Sequence, residues 1–524
     1  MKGIKIALIT TAIFAVVLVF VSALTLQRRQ AILDGTGEQI QALIQNSRPA
    51  LQEGALLING HHAPYDGNTK TYYIPQSMDE PEWEGELSWS DPQKEVYLID
   101  RGDKIASIRE GRIYRLLILD GSGYEERSLV FTGLPMCVLE TDDDLKRRYS
   151  ADRKEGGRFT VFDPDGGPDG VYQILSYPAA YRTRGNSSAA FPKAQYSVWL
   201  YDRNGNKLKQ SLLGMRHVNT LYLAGMYGDE TRIRDNLSYA LWDRLCTLTE
   251  DRGNYYSSRF SYVEFMHFGE YYGLMGVMDG LGHCDDLPLG SIAYKVRSDP
   301  NNSLNAEGYF DPDTNYDSCR SFKIITPDQV GEAAWAPLKT LVNQVLLTGE
   351  GISEEALLEK ISLENYLDYA LYVDAIAGVD NTTINQFWLA VQQADGTYRM
   401  HYLPWDMDCT FGRPHAFDLE VVFDLVDEEL LLPMREILKA AMSEEKLHAL
   451  QGERWAELRE EIIDPDWLVE KARFIQGELV DSGALKREGM RWPETRVQES
   501  TADLEAFIHQ RIAWLDGYYR LENH

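Results

Sequence analysis

YVDAIAGVDNTTINQFWLAVQQADGTYRMHYLPWDMDCTFG, residues Tyr372 to Gly412, decides how the chain is read. An apolar segment ends at Asp380, and Asn385 follows five residues later. QFWLAVQQ and TYRMHYLPW then flank a turn at Ala394-Asp395-Gly396, the pattern of a hairpin. The second strand runs straight into Trp405-Asp406-Met407-Asp408. Pairing the two strands folds the second acid cluster back toward the first. The carboxylates of Asp380, Asp406 and Asp408 and the amide of Asn385 could then converge on a hard cation. Mg²⁺ is usually held this way, by one or two carboxylates plus substrate phosphates. Asp and Asn are also common turn residues, and either half alone reads as loop chemistry. Joined by a short hairpin, the halves point to a site. An Asp followed five residues on by Asn, with a second metal Asp beyond a hairpin, is a layout used for phosphoryl transfer.

The rest of the chain bounds that reading. Its 524 residues suffice for two or three domains and a sizeable core, and 44% hydrophobic content suits a globular protein. The 81 acids against 52 Lys and Arg give a net charge of −29, which argues against nucleic acid as a partner. It would suit a basic protein substrate. The five cysteines, Cys137, Cys246, Cys284, Cys319 and Cys409, are widely spaced with no CxxC, and read as isolated apolar thiols.

From the start, Ile6 to Leu26 carries no charge and is long enough to span a bilayer as a helix. Val21-Ser22-Ala23 offers a signal-cleavage site instead. An uncleaved anchor over 1–29, with the bulk of the chain extracytoplasmic and the membrane met through this helix, is the expectation. Residues 30–92 read as a juxtamembrane helix and linker. KEVYLID, KIASIRE, RIYRLLILD and ERSLVFTG then read as a small all-β module over 93–132. Hairpins and alternating strands dominate 133–325, with an irregular insert at Leu281 to Ser321 as a candidate lid. Amphipathic helices dominate 326–522. The expected fold class is therefore α+β, a β-rich first half before a helical second half.

Several segments together resemble the CotH-type spore-coat protein kinases, a family of atypical, kinase-like phosphotransferases. They are RGNSS followed by PKAQYSVWL, LLGMRHVNTLYLAGMYGDETRIRDNLSYAL, YVEFMHFGEYYGLMGVMD, VDNTTINQFW, YLPWDMDCTFG, RWAELREEI, SGALKREGMRW and FIHQRIAWLD. The resemblance runs from about Leu134 to Tyr519 and implies a kinase-like domain over 133–522. It makes Lys193 the nucleotide-phosphate lysine, Asp380 the catalytic acid and Asn385 its metal-side partner. Asp406 and Asp408 become the metal acids of a W-D-x-D motif. Arg184, Asn186, Arg234 and Asn236 would line the nucleotide cleft, with Trp405 or Tyr196 over the adenine. Implied cofactors are ATP and Mg²⁺ or Mn²⁺, and the implied reaction is transfer of the γ-phosphate to Ser or Thr of a protein. The chain departs from the family at Asp279, where Glu is usual. If that acid orients Lys193, its shorter side chain alters the geometry. Two other readings stand beside this one. The domain could be a non-catalytic surface or coat-binding protein. It could also be a carboxylate-pair hydrolase using Asp380 and Asp406, which leaves Lys193 and Asn385 unemployed.

Overall fold

The strands before the acid-rich stretch close on themselves. In the computed structural model, β1 (Met136–Thr141), β2 (Glu155–Asp163), β3 (Gln173–Arg184), β4 (Gln195–Leu200), β5 (Thr220–Ala224), β6 (Phe260–His267) and β7 (Glu270–Asp279) form a barrel. The order is β1-β2-β3-β4-β5-β7-β6, and β6 returns to pair in parallel with β1. Period-two alternation places Tyr196, Val198 and Leu200 of β4 in one buried cluster with Leu221 and Leu223 of β5 and Phe265 of β6. Tyr222, between the two β5 leucines, packs into a different core, the one shared with Trp405 and the helices. The barrel wall made by β3, β4 and β5 is thus one side of the site.

The structure describes residues 30–520, apart from 46, 122, 143–153, 168–169, 186, 249–254, 282–286, 298–317, 320–321, 328–330, 346–351, 416, 418–419, 431–437 and 440. Beyond the barrel, β8 (Ile292–Val296), β9 (Ser318–Cys319), β10 (Phe322–Thr326), β11 (Gln386–Gln392) and β12 (Tyr398–Pro404) make a second sheet, ordered β9-β10-β8-β11-β12. The expected hairpin is there, with Gln386 opposite Pro404 and Gln392 opposite Tyr398. The longer helices around the two sheets are α1 (Arg234–Leu248), α2 (Ala336–Val345), α3 (Leu363–Ala375), α4 (Glu444–Glu461), α5 (Pro465–Asp481), α6 (Ala484–Arg491) and α7 (Ala502–Tyr518). Each of α3 and α4 starts at a Ser N-cap, Ser362 and Ser443, whose hydroxyl accepts a backbone N–H three residues on.

Several expectations need correction. A two-lobed kinase-like α+β arrangement gives way to a closed seven-stranded barrel flanked by separate sheets. Residues 60–91 are not linker: Thr71–Pro75 is a buried strand that pairs in parallel with Gly123–Thr132. Both its faces are covered, so it shows no alternation, and its partner lies far along the chain. KIASIRE is not a strand. Lys104–Glu110 is a helix, capped by Asp103 and ended by Gly111 in the left-handed region. The anchor expected over Ile6–Leu26 lies outside the described residues, and the candidate lid lies largely outside them. Among the described residues no helix is long and apolar enough to cross a membrane. The expectation of a single-pass, membrane-anchored chain therefore has no support among the described residues.

Candidate functional site

Trp405 and Asn385 face each other across the open end of the β11–β12 hairpin, with Asp406 one residue on. The Trp405 backbone N–H donates to the Asn385 carbonyl at 3.0 Å, closing the ladder. Both Asn385 (φ 53°) and Asp406 (φ 60°) are left-handed, a conformation Asn and Asp adopt more readily than most residues and one that gathers at functional turns. Asn381, fully buried, links the two loops. Its amide nitrogen donates to the Asn385 carbonyl at 2.8 Å and to the Trp405 carbonyl at 3.0 Å. Asn381 rather than Asn385 is therefore the residue that joins the loops, and its place one after Asp380 was the only signal for it.

α1 holds the WDMD turn from the other side. The Tyr239 hydroxyl accepts the Asp406 N–H at 3.0 Å, and the Asp235 carboxylate accepts the Met407 N–H at 2.9 Å. One residue back on each turn, the Arg234 Nε donates to the Thr410 carbonyl at 3.0 Å and the Ser238 hydroxyl meets that of Thr410 at 3.1 Å. These are two pairs at i,i+4 spacing on adjacent stripes of one helix. Arg234 does not line an open cleft. It is fully buried, bound to Glu230 at 2.9 Å and to Asp229 as well. Asn236 reaches Tyr262. Asp235, between the two, is the residue that joins the acids, and the sequence reading passed over it.

Four carboxylates therefore share one neighbourhood. Burial raises the Asp380 pKa, and the charge of Asp406 raises it further, while the Cys409 thiol bonds it and opposes the rise. Burial pushes Asp408 up to about 6, against the pull of Arg413, with Asp406 and Asp380 adding to the rise. Asp235 is held well above the usual carboxylate range by burial and then by Asp408 and Asp406. The Arg413 Nη1 donates to the Asp408 carbonyl at 2.8 Å and stands 3.3 Å from its carboxylate. Two further cations approach, one from the barrel and one from the second sheet. Arg184 lies 4.0 Å from Asp406, and Lys295 on β8, not singled out by the sequence, has its pKa lowered to about 8 by burial and by Arg184.

The donor set suits a hard divalent ion in kind, since carboxylates that raise one another's pKa gain from a shared cation. Among the described residues, however, no three His, Cys, Asp or Glu side chains are grouped to hold a metal as they stand. Trp405 is 1% exposed, pinned edge-on between Tyr222 at 5.1 Å and Phe387 at 5.2 Å, so its face is not an open platform. Tyr196 is elsewhere, inside the barrel, with its hydroxyl 2.9 Å from His267 Nε2. Asn186 lies outside the described residues. A cavity of about 700 Å³ between α2 and the β11–β12 turn, lined by residues such as Thr340, Gln393 and Tyr398, includes none of these acids.

Lys193 sits just before β4 with no exposed surface. Its ammonium donates to Glu488 of α6 at 2.6 Å and to the Leu274 carbonyl. Burial lowers its pKa to about 8 although Glu488 opposes the shift. Asp279 is not its partner. That acid accepts from Arg216, Tyr256 and the Arg259 N–H, so the departure from Glu leaves the lysine's geometry untouched. Glu488 was missed because it lies 295 residues from Lys193, within SGALKREGMRW, where it reads as an ordinary helix residue.

Comparison with known proteins closes the question of kinship. No curated protein matches the chain. A family model described as CotH kinase protein matches residues 181–515, from the end of β3 to within α7. That is most of the chain, and the chain belongs to the CotH kinase protein family.

Proposed function

We propose that the chain is a phosphotransferase that moves the γ-phosphoryl group of ATP to a Ser or Thr hydroxyl of a protein. The observation that carries this reading is the set of four mutually repelling carboxylates, Asp235, Asp380, Asp406 and Asp408, beside the cations Arg184 and Lys295. Phosphoryl transfer needs positioning and charge neutralisation more than covalent help. Asp406 and Asp408 would hold Mg²⁺ or Mn²⁺ together with Asn385, and the bound ion would neutralise phosphate oxygens. Asp380, whose raised pKa makes it a better base than an ordinary carboxylate, would take or orient the proton of the acceptor hydroxyl. Lys193 and Glu488 would hold the barrel wall behind the nucleotide. The net charge of −29 favours a basic, Ser-rich acceptor protein.

The test is incubation of the full chain with radiolabelled ATP, Mg²⁺ or Mn²⁺ and a basic Ser-rich protein. Label transferred by the native chain and lost in Asp380→Asn and in Asp406→Asn is the expected result. Full transfer by both variants overturns the assignment. A second reading, a non-catalytic binding protein, is favoured by the full burial of Lys193 against Glu488 and by acids that do not close into a coordination shell. Absence of any metal-dependent heat on titrating MgATP would select it.

A further inference from the structure

Two cations from separate sheets meet on one aromatic ring. Arg184, at the end of β3, places its guanidinium carbon 5.4 Å from the centre of Trp405 and 4.9 Å from that of Tyr222. Lys295, from β8, places its ammonium 5.3 Å from the same Trp405 ring. Two like charges on one ring repel each other, and a single cation would satisfy the attraction of the ring. Among the described residues Arg184 has one acid in range, Asp406 at 4.0 Å, the outer limit of an ion pair. The Arg184 Nη1 is buried with no hydrogen-bond acceptor. Among the described residues the Lys295 ammonium makes no hydrogen bond or ion pair. Native proteins rarely leave buried donors unmet, and where they do an unseen ligand is one of the recognised reasons. Charged donors in want of acceptors, next to acids that would gather a cation, describe a place for an anion that travels with a metal.

We propose that Arg184 and Lys295 together form the subsite for a phosphate group, and that Lys295 rather than Lys193 is the lysine that touches it. Lys193 is enclosed, with two of its three ammonium donors already taken. It has no exposed surface, and both Glu488 and the Leu274 carbonyl already accept from it. Lys295 has the opposite character: among the described residues no acceptor meets its ammonium, which lies over the Trp405 ring. The ligand class is a phosphate-bearing anion, whose source is either the polyphosphate of a nucleotide or free orthophosphate. The nucleotide source rests on the phosphotransferase reading; the anion subsite itself does not.

Isothermal titration of the full chain separates these. MgATP, MgADP, adenosine and orthophosphate are each titrated into the native chain, Lys295→Gln, Arg184→Gln and Lys295→Arg. Lys295→Gln and Arg184→Gln are each expected to weaken MgATP binding by about tenfold to a hundredfold, the range for a charged hydrogen bond. Lys295→Arg, which keeps the charge and reports on folding, is expected to bind within a few-fold of native. Native-like MgATP affinity in both Gln variants overturns the subsite, as does failure of the native chain to bind any phosphate-bearing probe. Loss of MgATP binding in Lys295→Arg as well, with an unchanged near-ultraviolet circular dichroism spectrum, also overturns it. Orthophosphate bound by the native chain and lost in Lys295→Gln, with no MgATP binding anywhere, upholds the subsite and sinks the phosphotransferase reading alone.

Discussion

Two charged regions flank the same barrel wall and are built on opposite principles. Behind the wall, Lys193, Glu488 and Arg232 form a closed lattice, with Arg487, the residue before Glu488 on α6, paired with Glu264. Glu488 meets both Lys193 and Arg232, and Arg487 grips Glu264 through two nitrogens, at 2.7 and 2.5 Å. In front of it, four Asp residues crowd together, with Arg413 holding one of them and Arg184 just in range of another. The closed lattice raises no demand for a ligand and works as architecture. The open cluster pays an electrostatic cost in the resting protein, and that cost is what a bound cation and its phosphates would remove.

The sharpest way to break this contrast is to attack the closed lattice. Glu488→Ala leaves Lys193 and Arg232 buried without their acid and is expected to cost about 3–5 kcal/mol of unfolding free energy by urea titration. A loss under 1 kcal/mol would make the lattice ornamental. Next in size, Asp380→Asn in the open cluster is expected to lower phosphotransfer by about 10²–10⁴-fold. Its urea midpoint is expected to stay within error of native, because it deletes a repelling charge.

A third test uses pH on a group belonging to neither region. His267 in the barrel has its pKa lowered to about 4 by burial. The unfolded state therefore binds the proton more readily, so stability is full above about 6.5 and falls as pH drops from there toward 4. After allowance for its partial exposure, the loss at pH 4 is on the order of 2 kcal/mol. It is read as the difference between the native chain and His267→Gln across pH 7 to 4, and parallel curves would refute it. The smallest effect sharpens the comparison most. Asp408→Asn is expected to raise stability by up to about 1 kcal/mol, since it relieves repulsion while an oxygen remains for Arg413. A loss of several kcal/mol there would place Asp408 in a closed lattice after all.

What could be read from residues alone follows the range of the interactions. The β11–β12 hairpin was legible because its alternation and its Asp395-Gly396 turn are local, and the family resemblance was legible because its motifs keep their order. The convergence on Asp235 was not legible, since attention fell on its neighbours Arg234 and Asn236, and only the α1 face decides which of the three meets the Met407 N–H. Barrel closure was invisible because β6 pairs with β1 across more than a hundred intervening residues, with no periodic mark. KIASIRE misled because seven residues alternate well enough for a strand, while the caps at Asp103 and Gly111 settle it as a helix.

The reach from Lys193 to Glu488 has a consequence for how the molecule is made. A ribosome translating at about 5–20 residues per second delivers Glu488 roughly 15–60 s after Lys193, given the 295 residues between them. Through that interval the nascent barrel carries an ammonium meant for its interior with no carboxylate yet synthesised to receive it. The last helices thus act as a latch, and assembly of the wall behind the acids must wait for them.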